Sequence, residues 1–327
     1  MAESGRSPWR SASGFGAFAL VVAGLAAPLL APHDPDRQFD PAGGQYRPPG
    51  TRLARVELAD GRTLLADRVT RTASGEIRVE RLGRSEELPP AQVTNATADG
   101  VGDHERFWLG TDGFSRDLLS RLLHGARVSL LVAFLAVGLS LSLGLSVGGL
   151  AALAPRPLAG GLTRLIDGFL AFPYLFLVIA LAALFRPSTL LVALILGATG
   201  WMTIARLFRA ELLGLAERDF VLAVRALGAS PARLFFHHLL PNALSPVLVQ
   251  TTLLVSQVIL VEASLSFLGL GVQPPTSSWG NMIAEGRDVL TTAWWVSAFP
   301  GLALVLTAVA FNHLGDDLRD RLDPRAG

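Results

Sequence analysis

The chain has 327 residues, 50% hydrophobic and 17% charged, with a mean hydropathy of +0.43 and a net charge of +1. So apolar a composition points to a polytopic membrane protein, and the near-neutral charge gives no case for a nucleic-acid partner. There is no cysteine, which excludes disulfides, thiol catalysis and cysteine-held metals; lysine is absent too, so the chain lacks the lysine that a P-loop ATPase needs.

Six apolar runs are long enough to cross a hydrocarbon core, near 14–31, 129–153, 165–185, 188–207, 243–263 and 294–314. The first is short, carries Pro28 and follows Arg6 and Arg10. It reads as a retained helix, with a cleaved signal peptide as the alternative. Arginines set the orientation. Arg156 and Arg164 flank the second link, and Arg206, Arg209, Arg218, Arg225 and Arg233 crowd the fourth. Those sides are cytoplasmic, and with six spans both termini are too. The predicted fold is an all-α polytopic membrane protein with a small extracytoplasmic β-rich insertion.

That insertion lies in the long first loop, 32–108. Within a module at about 51–103, Arg52–Val93 alternates apolar and polar residues, as in Val56, Leu58, Ile77 and Val79, with breaks at Asp60-Gly61, Ser74-Gly75 and Gly83. The pattern predicts a small half-buried sheet that needs a neighbour to lean on. Its flanks, Pro32–Gly50 and Asn95–Asp103, read as linkers. After it, 109–315 holds five predicted spans, with a polar loop at 209–240 and a cytoplasmic tail at 316–327.

The polar loop is the main lead to function. Phe220, Val224 and Leu227 share one helical face, and Arg218 and Arg225 another. Gly228 suits the residue after a helix end. Ser230 then caps a second helix with Pro231 at its first turn, and Leu-Pro-Asn at 240–242 reads as a stop. The bland reading is an amphipathic connector on lipid headgroups. A DNA-reading helix-turn-helix is excluded by the adjacent spans.

Two acids lie in or beside apolar runs. Glu262 reads either as pathway or gate lining or as a hydrated group near the outer interface. Asp167, placed at the cytoplasmic start of its helix, reads as a dipole partner or an Arg164 neighbour, with a pathway role as the alternative. Gly144 to Gly148 matches G-x-S-x-G, so an intramembrane serine protease using Ser146 and His313 is the rival from another class. The plainer reading is glycine packing between membrane helices. Adjacent His237 and His238 point apart on a helix and suit no shared metal.

Several stretches together resemble one family. ALGAS…HHLLPN within 226–242 resembles the "EAA" loop of membrane subunits of binding-protein-dependent ABC importers. LAPHDPD at 30–36, LGTDGFSRDLLSRLLHGARVSL at 109–130 and RAELLGLAERDFV at 209–221 resemble the oligopeptide, dipeptide and nickel branch of permeases. So do EASLSFLGLGVQPPTSSWGNMI at 262–283 and FNHLGDDLRDRLDPR at 311–325. Two departures stand out. Leu222 falls where the family keeps the glutamate that names the loop, and Ser115 where a glycine is usual. The family's glycine there suggests a special backbone angle.

The resemblance implies a type I ABC importer permease fold and a division of labour. Phe220, Ala223, Val224, Arg225, Ala226, Gly228, Ala229, Ser230 and Arg233 would contact a separate ATPase as a coupling helix. Gly110, Thr111, Asp112, Arg116 and Asp117 would form an extracytoplasmic motif. The chain would bind no cofactor, ATP and Mg²⁺ being held by two ATPase subunits. A second homologous permease and an extracytoplasmic substrate-binding protein would complete an inner-membrane importer. Short peptides are the expected substrate, with nickel or another small chelate as the alternative.

Overall fold

The computed structural model describes residues 16, 19–97, 100, 101 and 103–322. The chain divides into two compact units. One contains Val128–Gln273 and the chain from Ala303 onward, and the other Ala23–Arg127 with Pro274–Leu302.

The first unit is helical. Its helices are α1 (Leu118–Leu153, here from Val128), α2 (Arg156–Leu170), α3 (Tyr174–Ala183), α4 (Thr189–Ala216), α5 (Asp219–Ala226), α6 (Pro231–Phe267) and α8 (Trp295–Leu322, here from Ala303). Helix α4 is the hub and packs against α2, α3 and α6. Of its most apolar window 61% is buried, against 39–44% for α1, α6 and α8, so those three keep more apolar surface for surroundings outside the chain. Glycines set the approach of α1 to α4. A Cβ on Gly144 would meet Ile204 Cγ2 at 2.5 Å, and one on Gly148 would meet the Ala205 carbonyl at 2.5 Å. Any larger residue would force the helices apart.

Two helix boundaries depart from the sequence reading. The apolar run at 165–185 is not one span. Helices α2 and α3 meet at a break over residues 171–173 with an 84° bend. Pro173 occupies the N-cap of α3, and proline biases the residue before it away from helix. In the other direction, Leu-Pro-Asn at 240–242 does not stop a helix. A π turn over Phe235–Leu239, in which the Leu240 N–H bonds to the Phe235 carbonyl, shifts the hydrogen-bond register just before Pro241. Asn242 Nδ2 then donates to the His238 carbonyl at 2.7 Å. The proline's missing N–H is absorbed, and the helix runs on to Phe267.

Among the described residues, α1, α4, α6 and α8 are long and apolar enough to cross a membrane, and α2 with α3 makes a fifth span if the bent pair counts as one. The sequence predicts six. The run at 14–31 begins outside the described residues; within them, 19–25 and Ala27–Leu30 are helical.

The second unit carries the strands. β1 (Thr51–Glu57) lies between β2 (Thr63–Ala66) and β8 (His104–Phe107), antiparallel to both, with Ala54 opposite Ala66 and Thr51 opposite Phe107. β4 (Ile77–Arg81) lies between β3 (Arg68–Arg71) and β5 (Arg84–Leu88), and β6 (Ala96–Thr97) pairs with β7 (Gly100–Val101). Val56, Leu58, Ile77 and Val79 lie in one buried cluster with Leu88 and Val93. Phe39, Leu53, Leu65 and Phe107 form a second. The stretch 32–50 is more than a linker. Asp40 is buried and accepts hydrogen bonds from Leu65 N and Arg81 Nη1, each at 3.0 Å, while Arg47 pairs with Asp67 at 2.8 Å. Helix α7 (Trp279–Gly286) completes the unit, begun by a reciprocal capping box between Ser278 and Asn281.

Candidate functional site

The polar loop is built on two buried anchors. Val221 on α5 is 0% exposed and Leu234 in the first turn of α6 is 6% exposed. Helix α5 has Asp219 in its first turn and Arg225 in its last, both favourable to the helix dipole. It ends in a Schellman motif: Gly228 N–H bonds to the Arg225 carbonyl and Ala229 N–H to the Val224 carbonyl. Gly228 has φ +82°, which explains the glycine. A Cβ there would meet nothing within 4 Å, so no intrachain approach requires it. Ser230 Oγ accepts from Arg233 N at 3.3 Å and Pro231 follows, which fixes the start of α6.

These anchors leave an outward apolar surface. Leu227 is 87% exposed, Leu222 48% and Phe220 43%. Ala223, Arg225, Ala226, Ser230 and Arg233 are exposed beside them, while Val224 and Ala229 are half-buried. Among the described residues neither Arg225 nor Arg233 forms an ion pair. Phe220 and Leu227 are thus exposed, with Val224 half-buried beside them. The residue that seats α5 is Val221. Its signal was present in the sequence, since it stands at i−3 from Val224.

In the second unit, the stretch 110–121 builds a buried charge cluster. Gly110 has φ +84°, and a Cβ there would fall 2.4 Å from the Arg47 carbonyl. Thr111 bridges to Asp117 and gives its hydroxyl proton to the Gly44 carbonyl at 2.5 Å. Asp112 accepts from the N–H groups of Phe114 and Arg116 at 2.8 and 3.0 Å. It also takes Arg116 Nε at 2.7 Å and Arg121 Nη1 at 2.5 Å. Glu285 completes the cluster, accepting Arg121 Nη2 at 3.0 Å and Arg116 Nη2 at 3.1 Å. Two guanidiniums thus face two carboxylates. That balance makes burying Arg121, which is 0% exposed, tolerable. Arg121 and Glu285 were missed by the sequence reading, because 164 residues separate them.

Ser115 has φ +57° and is fully buried. This is the left-handed angle that the family's glycine suggests, held here by a serine whose Oγ accepts from Asp40 N at 3.2 Å. His33 lies between two acids, with Nε2 2.9 Å from Glu105 and Nδ1 3.5 Å from Asp117. Burial alone would lower its pKa. Its bonds to the Asp117 and Glu105 carboxylates outweigh burial and hold the imidazole above its ordinary value.

The remaining sequence candidates separate. Glu262 is fully buried, not hydrated at an interface; it accepts from Ser129 Oγ at 3.1 Å and Ser266 Oγ at 2.8 Å. The carboxylate thereby ties α6 to α1. Asp167 is exposed in the last turn of α2, which starts at Arg156, so it is no N-terminal dipole partner. Ser146 is mid-helix, with its hydroxyl donating to the Ser142 carbonyl at 2.8 Å; no hydrogen bond joins it to His313 among the described residues. Gly144 and Gly148 are packing positions, not a nucleophile elbow. Among the described residues no cluster could hold a metal ion, His237 and His238 included.

Residues 140–327 match the family described as "Binding-protein-dependent transport system inner membrane component". The chain is 45% identical over 224 residues to the di/tripeptide transport system permease protein DppC of Pseudomonas aeruginosa, covering 68% of this chain and 74% of that one. It is 39% identical to the dipeptide transport system permease protein DppC of Alkalihalophilus pseudofirmus over 71% of this chain and 76% of the relative. Among solved structures, an inward-facing MetNI methionine ABC transporter matches at a TM-score of 0.54 and 20% identity, covering 63% of this chain and 98% of that one. That likeness supports a type I ABC importer permease fold. The chain belongs to the family of binding-protein-dependent transport system inner membrane components.

Proposed function

We propose that this chain is one of two permease subunits of an ATP-driven importer of short peptides. The carrying observation is the loop at 219–233, which two buried anchors hold while apolar side chains and free arginines face outward. Such a surface fits a cleft on a separate ATPase. Phe220, Ala223, Val224, Arg225, Ala226, Gly228, Ala229, Ser230 and Arg233 form the contact, with Leu222 and Leu227 as its apolar centre. ATP and Mg²⁺ belong to two ATPase subunits, whose closure would swing α5 and switch access to the pathway. On the positive-inside rule, the arginine-rich loops favour a cytoplasmic position for this surface and both termini in a six-span inner-membrane protein. The strand-bearing unit and the 110–117 motif then face outward, where a substrate-binding protein delivers cargo. The relatives' names favour peptides over nickel or another chelate.

Exchanging Leu227→Asp in the purified complex tests the docking surface. Leu227 has almost no intrachain contact to lose, so folding is unchanged, within about 0.5 kcal/mol for such surface sites. Stimulation of ATP hydrolysis by the loaded binding protein falls about tenfold or more, which is 1.4 kcal/mol of coupling. Unchanged stimulation would remove α5 from the ATPase contact.

A further inference from the structure

The helical unit holds a cavity of about 80 Å³ beside the α2–α3 break. Phe169, Leu170 and Phe172 from the end of α2 and the break, with Tyr174 and Leu177 of α3, form one side. Thr199 and Thr203 of α4 and Gln257 of α6 contribute its other polar groups. The Tyr174 hydroxyl is buried and makes no hydrogen bond of normal geometry. Its polar neighbour Thr199 already donates to the Ile195 carbonyl at 2.7 Å. Among the described residues the side chains of Thr203 and Gln257 have no hydrogen-bond partner either, and both are exposed.

All three groups lie on helices long and apolar enough to cross a membrane, or on the bent pair that together meets the same criterion. In hydrocarbon an unsatisfied hydroxyl or amide is strongly disfavoured, so three of them converging on one cleft require water, ligand or a polar partner there. The position fits the same demand. Broken helices at membrane depth occur where their freed backbone lines a cavity. The volume accommodates several waters or one planar amide group.

We propose that this cleft is a substrate-contact site on the translocation pathway, where Tyr174, Thr203 and Gln257 bind the backbone amide groups of a peptide. The site deepens the transport reading and rests on it. Its chemistry is specific in kind. Tyrosine and threonine hydroxyls each donate and accept, and the glutamine amide offers a carbonyl and two N–H donors, which complements a peptide C=O and N–H. The lining among the described residues holds no carboxylate, imidazole or guanidinium. Recognition is therefore indifferent to the charge of the peptide's side chains, and the donor set is a poor one for a divalent transition metal. Met202 and Leu254 offer apolar contact for the side chains.

The chain is naturally free of cysteine, so single cysteines report directly on the cleft. Thr203→Cys and Gln257→Cys are each placed in the full complex in proteoliposomes. A charged methanethiosulfonate reagent is applied at rest and after vanadate trapping, with Leu194→Cys on the apolar exposed side of α4 as the reference. Both cysteines react at least about tenfold faster than the reference in one of the two states, and a tripeptide-loaded binding protein slows the reaction. The pair Tyr174→Phe and Gln257→Leu lowers the peptide imported per ATP hydrolysed by a similar factor. Silence of both cysteines in both states overturns the proposal, since it marks a dry contact with the second permease. Import per ATP equal to wild type in the double variant overturns it as well. A wild-type complex that hydrolyses ATP on adding binding protein but moves no peptide refutes the peptide reading instead, and cysteine reactivity then still judges the pathway.

Discussion

Ser115 shows how one residue can hold a backbone that its type disfavours. A non-glycine residue at φ +57° is strained by about 1–2 kcal/mol, and here the Oγ contact with Asp40 N offsets part of that. Two variants separate the terms. Ser115→Ala keeps the strain and loses the acceptor, and it lowers unfolding stability by about 1–2 kcal/mol. Ser115→Gly loses the acceptor but relieves the strain, and it lies within about 1 kcal/mol of wild type. Chemical unfolding in detergent measures both, and equal losses would show that the angle carries no strain. The departure at this position was legible from the family pattern. Its compensation was not, because Asp40 is 75 residues away. His33 gives the pH dependence. Its pKa is raised on folding, so its stabilising contribution is complete below about pH 6.5, the unfolded value, and is lost as pH rises through the higher folded value. The melting temperature therefore falls across that window, and His33→Gln flattens the slope. A slope of opposite sign would mean that burial, not the two carboxylates, governs the imidazole.

At the scale of elements, short-range signals were the readable ones. The Schellman end at Gly228 and the Ser230-Pro231 start need only neighbouring residues, and the structure has both. Boundaries that depend on register or distance were hidden. Pro241 reads as a stop until the π turn before it is seen. The run at 165–185 reads as one helix because its apolar count does not reveal the bend at Pro173. The tie between the start of α1 and α7 was hidden for the same reason. Arg121 is fully buried against Asp112 and the partly exposed Glu285, so Arg121→Met leaves the two carboxylates with Arg116 as their one remaining guanidinium partner in the cluster. Stability falls by about 3–5 kcal/mol, as for other broken buried pairs. Adding Glu285→Gln recovers part of that loss. A double variant no better than the single would show that the cost is packing rather than charge.

For the whole molecule, the composition fixes the medium and the missing lysine removes one ATP chemistry, while the family match supplies the class. The strand-bearing unit is wired to its own flanking stretch through Asp40 and Arg47. It is a folded part of the chain, with docking of the binding protein as its proposed use. The proposed importer joins an apolar loop, a polar cleft and an external motor. The most direct measurement is uptake of a labelled tripeptide into proteoliposomes holding this chain, its partner permease and the ATPases. Accumulation should require both ATP and the binding protein, and should fall about tenfold or more with Leu227→Asp. Accumulation that needs no ATP, or that Leu227→Asp leaves unchanged, would contradict the account.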